Sequence, residues 1–285
     1  MNQHNAKKLF GLVGYPVKHS YSAFMHNAAF AHLNMDACYD LFEVQPQDLE
    51  SFFKTTIHEK HIKGLNVTVP YKEKVCEYLD IIGGMDVKVI GAVNTVCVSS
   101  DGSLVGYNTD AAGFAMDLKN LNVSVKDKKV ILLGAGGGAK AIAAAIAHLW
   151  PCEFSVFDID GRKSALLARN IALLGVNVKI ASSIEDLGIE GADILINATP
   201  IGMKQDDPLL IRPDWLHREL FVYDLIYNPS ETKLLQSAKE AGCRFANGLG
   251  MLLYQGSLSF THWTHKRAPV EIMRQALLGA NQCLK

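Results

Sequence analysis

The stretch KKVILLGAGGGAKAIAAAIAHLW, residues 128–150, limits what this chain can fold into more than any other. A charged lead-in runs into a short apolar strand, then into Gly134-Ala135-Gly136-Gly137-Gly138-Ala139, then into an alanine-rich helix. That is G-x-G-x-x-A between a strand and a helix, the setting in which it marks a dinucleotide-binding βαβ unit. Gly134 permits the tight turn, Gly136 lets backbone approach a pyrophosphate, and Ala139 lets the helix sit close on the sheet. Amides at the helix start, at Gly137 and Gly138, then face the phosphate charge. About 20 residues on, the next strand, EFSVFD, ends in Asp158, where the fold places a carboxylate that accepts from the adenosine ribose hydroxyls. A carboxylate there repels a 2'-phosphate, so NAD is expected. Asp158 also suits an Asx-turn before Gly161, and Arg162 could reach a phosphate, which keeps NADP as the alternative.

The alternation around this motif sets the fold class. From Lys126 to about Asn247, apolar runs near KKVILLG, EFSVFD, NVKIA, DILINAT, LFVYDLI and CRFAN predict a second, mostly parallel sheet. Residues 8 to about 110 alternate KLFGLVG, YDLFEV, LNVTV and AVNTVCV with helical stretches, a separate α/β unit with an edge hairpin turning at SSDGS. A helix is expected in KEKVCEYLDII. After NGLG come two helical segments, the second from about Pro269, with no strand of their own, so they are expected to pack back on the first block. The reading is α/β throughout. An N-terminal α/β domain, residues 1–112 completed by 248–285, joins a doubly wound Rossmann domain over 113–247.

Bulk properties exclude several classes of function. With 28 basic and 29 acidic residues the net charge is -1, which offers nucleic acid or an acidic membrane no attractive field. Small molecules are the expected partners. No apolar run is long enough to span a bilayer, and the N-terminus reads as carrying no secretory signal. Six dispersed cysteines lack the paired spacing of a zinc or redox site, and the ten histidines form no metal triad, so no metal is expected. Reduced thiols fit a cytoplasmic location. Nothing selects between a monomer and a homodimer.

In the first block, GYPVKHSYSAFMHNAAF puts Ser20 and Ser22 before a helix, LNVTVPYK ends a strand beside Thr68 and Lys72, GAVNTV carries Asn94, and GYNTDAAGF carries Asp110. Singly, each has a structural explanation as a cap, a turn or a solvated residue. Together with GAGGGA, NATPIGM, YNP and GLGMLLYQG, in that order, they make the chain resemble the shikimate dehydrogenase family over essentially its whole length.

The resemblance implies a substrate-binding domain, a Rossmann domain and a cleft between them. It implies that Ser20, Ser22, Thr68, Asn94, Asp110 and Gln255 hold the hydroxyls and carboxylate of a cyclohexene acid, with Tyr227 near them. Lys72 and Asp110 become the catalytic pair. A free ammonium, with a pKa of about 10.4, is a poor base at neutral pH, so the two are expected to handle the proton together. Gly134, Ala135, Gly136, Gly137 and Gly138 would cradle the pyrophosphate, with Thr199, Leu225 and Gly248 lining the nicotinamide side. Two positions depart from the family pattern. Ala23 stands where proline is usual, and Asp158-Ile159-Asp160-Gly161-Arg162 stands where NADP-dependent members carry Asn-Arg-Thr. The second departure looks like the NAD-using quinate/shikimate branch and adds quinate to shikimate as an expected substrate.

Overall fold

The computed structural model describes residues 7–283, which divide into two compact units. The first comprises residues 7–109 and 253–283, and the second residues 110–252.

The first unit is built on a six-stranded mixed sheet in the order β2-β1-β3-β5-β6-β4. Its parallel half comes from β1 (Lys8–Gly14), helix α1 (Ser22–His32), β2 (Ala37–Glu43) and β3 (Ile62–Val67). Between β2 and β3 the chain coils irregularly, through a 3-10 turn at Pro46–Asp48, α2 (Leu49–Ser51), a π-turn at Phe52–Thr56 and α3 (Ile57–Glu59). Leu49, Phe52, Phe53 and Ile57 from that coil bury against Val13, Leu65, Val67 and Val96 of the sheet. The predicted hairpin forms as β5 (Thr95–Val98) and β6 (Leu104–Tyr107), antiparallel to each other. It is not at the sheet edge, because the two-residue β4 (Ile81–Ile82) pairs outside β6.

The helix expected in KEKVCEYLDII is instead a 3-10 turn, Lys74–Tyr78, followed by β4. The Lys72 carbonyl accepts from Val93 N at 2.7 Å, which ties the segment sideways to the chain entering β5 instead of along a helix axis. After it α4 (Met85–Ile90) ends in Gly91 with φ 64°, the left-handed conformation glycine adopts at a helix C-terminus.

The second unit opens with α5 (Asp110–Asn120) and carries a six-stranded sheet, order β12-β11-β10-β7-β8-β9, in which every pairing is parallel. Its elements are β7 (Lys129–Leu133), α6 (Gly137–His148), β8 (Glu153–Phe157), α7 (Gly161–Ala172), β9 (Lys179–Ile180), β10 (Ile194–Asn197), β11 (Phe221–Asp224), α8 (Lys233–Glu240) and β12 (Arg244–Asn247). All six predicted strands are present. Residues 139–147 of α6 are buried all round, and the six alanines among them admit α5 at close range.

The chain then forms α9 (Leu249–Thr264) and α10 (Val270–Cys283). α10 packs on α1, as expected, and Trp263 of α9 donates its indole N–H to Val96 O at 3.0 Å; the first unit takes in α9 from Leu253 onward. The described cysteines Cys38, Cys76, Cys97, Cys152 and Cys243 are all free thiols. Among the described residues no helix is long and apolar enough to cross a membrane.

On the buried face of α1, against Phe260 and Trp263 of α9, His26 has no exposed surface and stacks on Tyr39 with ring centroids 4.4 Å apart. Among the described residues neither ring nitrogen has a hydrogen-bond partner of ordinary geometry, and burial lowers its pKa to about 3, a side-chain contact with Asn66 offsetting part of that. A folded-state pKa below the unfolded one means stability present above about 6.5 and lost as pH falls toward 3. Substituting His26→Phe keeps the stack and removes the titration. Denaturant unfolding from pH 7 down to pH 4 should show wild type losing about 3 kcal/mol more than the variant, most of it below pH 6. Parallel curves would mean the imidazole does not titrate on unfolding.

Candidate active site

In the second unit the strand order reverses between β7 and β10, and ligands of open α/β sheets bind beyond the carboxyl ends of strands at such a switch point. The predicted glycine turn is there. Gly134 has φ 100°, and a Cβ on it would meet the backbone of Ala198, after β10, at 3.0 Å. Only glycine serves both demands, so the β7 and β10 loops close on one another at this residue. Gly136, in extended conformation, precedes the first turn of α6, and a Cβ there would touch nothing within 4 Å. The turn therefore leaves backbone open to an approaching group with the amides of Gly137 and Gly138 at the helix start. That arrangement fits a dinucleotide pyrophosphate.

Asp158 follows β8, and its carboxylate accepts from Ala135 N at 2.7 Å and Asp160 N at 2.9 Å. It thus holds the glycine turn and makes the Asx-turn as well. Asp160 caps α7 by accepting from Arg162 N and forms an ion pair with the Arg162 guanidinium at 3.0 Å. The guanidinium beside it holds the Asp160 carboxyl below the usual range. In this arrangement Arg162, the residue that could meet a 2'-phosphate, faces a carboxylate.

Thr199 is set by a second carboxylate relay that sequence reading missed. Asn197 Oδ1 accepts from Thr199 N at 3.0 Å and Thr199 Oγ1 at 2.7 Å, while Asn197 Nδ2 donates to buried Asp224 at 3.0 Å. Asp224 also accepts from Thr232 Oγ1 at 2.6 Å and Ile226 N at 3.1 Å. Its neighbour Leu225 carries a methyl 3.9 Å from where a Gly138 Cβ would stand. Gly248 lies against the Leu225 carbonyl, leaving no room for a side chain. The structure thus brings Gly134, Gly138, Thr199, Leu225 and Gly248 together. Tyr227, half-buried, follows two residues after Leu225. Asp110 is the buried first residue of α5, which is anchored by the Tyr223 hydroxyl donating to Asp117 Oδ2 at 2.7 Å. Burial, with the Asp117 charge, pushes the Tyr223 phenol well above its ordinary value.

In the first unit Ser20 and Ser22 are adjacent, the Ser20 hydroxyl donating to Ser22 Oγ at 3.2 Å and accepting from Ser22 N at 3.3 Å, at the start of α1. Thr68 continues from β3, its N–H bonded to Val13 O and its carbonyl accepting from Tyr71 N at 2.9 Å, a turn that brings the chain to half-buried Lys72. The Lys72–Val93 backbone bond then sets Lys72 beside the residue that precedes Asn94. Asn94 Nδ2 donates to Gln255 Oε1 at 3.3 Å, joining the residue before β5 to α9. Around this pair is a buried polar cluster, Asn66, Thr95, Thr109 and Ser259, also missed in the sequence. Its signal was there, as Thr95 and Thr109 each adjoin a singled-out residue within GAVNTV and GYNTDAAGF. Among the described residues no group of three or more His, Cys, Asp or Glu could hold a metal ion.

Comparison with known proteins agrees with this geometry. Residues 12–96 match the model of the shikimate dehydrogenase substrate binding domain and residues 248–278 that of the shikimate 5'-dehydrogenase C-terminal domain. Shikimate dehydrogenase (NADP(+)) of Methanocaldococcus jannaschii is 40% identical over 282 residues, 96% of this chain and 98% of the relative. A shikimate dehydrogenase crystallised with NADP+ superposes with a TM-score of 0.87 at 39% identity, covering 96% of this chain and 95% of the other. Quinate dehydrogenase of Corynebacterium glutamicum, in complex with NAD, gives 0.87 at 30% identity over 96% and 99% of the two chains.

The buried Asp224 makes a prediction of its own. Burial raises its pKa to about 6 against the donors around it, so its protonated form is favoured in the folded state and stability is lost as pH rises from 3.8 through 6. Between pH 4 and pH 7, the unfolding free energy of Asp224→Asn should gain about 2.4 kcal/mol on wild type. A constant difference would place the ionisation in the unfolded range.

These motifs, the glycine cradle at the switch point and the near full-length identity make the chain a member of the shikimate dehydrogenase family.

Proposed function

We propose that this protein interconverts shikimate and 3-dehydroshikimate by hydride transfer to or from a nicotinamide dinucleotide. The observation that carries this reading is 40% identity to a shikimate dehydrogenase across 96% of the chain, with the glycine cradle in place. A bound nicotinamide dinucleotide supplies the hydride acceptor. The chain's own residues do the rest. Gly134, Ala135, Gly136, Gly137 and Gly138 hold the pyrophosphate, and Thr199, Leu225 and Gly248 line the nicotinamide side. Ser20, Ser22, Thr68, Asn94, Tyr227 and Gln255 present hydrogen-bonding groups to the acid and its hydroxyls, which rejects analogues lacking them. Lys72 and Asp110 take the proton from the hydroxyl that becomes a ketone and return it in reverse.

The cofactor has two readings. NADP is supported by the name of the M. jannaschii relative and by the similar structure crystallised with NADP+, and it has the better support from known proteins. NAD is supported by a local observation: carboxylates at Asp158 and Asp160 end β8, with Arg162 paired to the latter, so a 2'-phosphate would meet negative charge.

A kinetic matrix of NAD and NADP against shikimate and quinate tests both levels. Shikimate should be turned over faster than quinate, and failure with all four pairs would remove the assignment. If NADP gives the higher kcat/KM, Arg162→Ala should lower it about tenfold while sparing NAD. If NAD does, Asp158→Ala should lower NAD and narrow the preference; an unchanged preference would make Asp158 a turn residue only. Separately, Lys72→Met should lower kcat by about 10²- to 10⁴-fold with dinucleotide affinity retained. Near-normal turnover would exclude Lys72 from proton handling.

A further inference from the structure

We propose that the cavity between the C-terminal half of α9 and the β5–β6 hairpin of the first unit is a second binding site, one that takes a small cyclic carboxylate. The strand register creates the space. Gly64 pairs with Cys97 and Cys97 with Val105, so these three share one face of the sheet, and Tyr107, two residues along β6, shares it too. A glycine, a thiol and a valine fill little of the gap beneath the helix, and a cavity of about 560 Å³ is left there. Sites for small molecules span about 300–1,000 Å³. Two aromatic walls are already fixed. Trp263 lies against Gly64, where any Cβ would collide with the indole, and its N–H is held by Val96 O. His262 stacks on Tyr107 with ring centroids 4.3 Å apart, and Tyr107 is backed in turn by Gly83. A ligand entering between such walls has little left to order.

The charge in the cavity has one sign. Lys63, His262 and His265 line it, and no Asp or Glu is among the described residues that do. None of those three side chains has an ion-pair partner among the described residues. Cys97 stays uncharged, because burial pushes its thiol up to about 12. Burial, and then the charge of His265, hold the His262 imidazole below its ordinary value. A carboxylate placed there favours the charged imidazole and answers the Lys63 ammonium as well. The hydroxyls of Ser99 and Thr261, also in the lining, can donate to it. The remaining surface is apolar, from Val98, Val105, Leu258 and the Trp263 ring. A bare inorganic anion would leave that surface in water, so the chemistry selected is an apolar ring carrying one carboxylate.

Benzoate is the probe. With saturating shikimate present to fill the substrate site, benzoate should shift the imidazole NMR signals of His262 and His265 in isotope-labelled protein. Benzamide, which keeps the ring without the charge, and inorganic phosphate, which keeps the charge without the ring, should each bind at least about tenfold more weakly. Lys63→Met combined with His265→Asn should weaken benzoate by about tenfold. Asparagine is chosen because residue 265 has φ 54°, a conformation it tolerates. Both positions are exposed, and kcat and KM for shikimate should not change. Should that variant fail to fold, Val105→Phe fills the cavity floor without touching a charge and should abolish the shift. Imidazole signals that benzoate leaves unmoved would overturn the proposal. So would loss of the shift on adding shikimate, which would put benzoate in the substrate site. Binding of benzamide or phosphate as tight as that of benzoate, or full affinity in the double variant, would equally end it. The binding measurements need no turnover, so their outcome is separate from that of the dehydrogenase reading.

Discussion

The contact at Gly134 governs the second unit. A strand must turn into a helix within a few residues while its neighbour's loop passes over the same spot, and the backbone of Ala198 stands 3.0 Å from where a Cβ would be. Only a residue with no side chain and a left-handed φ satisfies both conditions. From that contact the rest follows: the start of α6 is aimed across the switch point, Ala135 is delivered to the Asp158 carboxylate, and Thr199 is brought beside the turn. A dinucleotide-binding loop is, physically, this collision between two backbones resolved by glycine.

The first unit solves a different problem with a different chemistry. Its candidate residues do not depend on backbone amides at a helix start. Two of them, Asn94 and Gln255, sit in a buried set of side-chain amides and hydroxyls bonded to one another. Such networks are costly when half-satisfied and specific when complete. Nearby, a histidine is held neutral by burial, a stacked ring in the apolar layer under α9. In the second unit Asp224 plays the opposite part, a carboxylate drawn toward its protonated form while it holds Asn197 and thereby Thr199.

Much of this was legible in the sequence, and the reasons differ by element. The parallel sheet was readable because its inner strands, β7, β10 and β11, are buried, mostly apolar runs ended by a turn, as a sheet covered on both faces requires. The glycine turn was readable because no other residue type can replace it. KEKVCEYLDII was misread because Val75, Tyr78 and Leu79 carry a helix-like spacing, yet they bury in the core from a 3-10 turn once Lys72 is pinned to Val93. The hydroxyl cluster was hidden for another reason: Thr95, Thr109 and Ser259 come from distant segments, and their partnership exists only after folding. Asp158 could be placed at the end of its strand from sequence, whereas its bonds to Ala135 and Asp160 could not. The carboxylates that argue for NAD are therefore also parts of the turn, and relatives named for NADP stand against them.

The account comes down to direct hydride transfer between the ring carbon of a polyhydroxylated acid and a dinucleotide held by the glycine turn. Shikimate carrying deuterium on the carbon whose hydroxyl is oxidised tests this most directly, with the reduced dinucleotide analysed by mass spectrometry after turnover in ordinary water. The account predicts a reduced cofactor one mass unit heavier than from unlabelled substrate. Label found in the solvent, or no reduced cofactor at all, would contradict it.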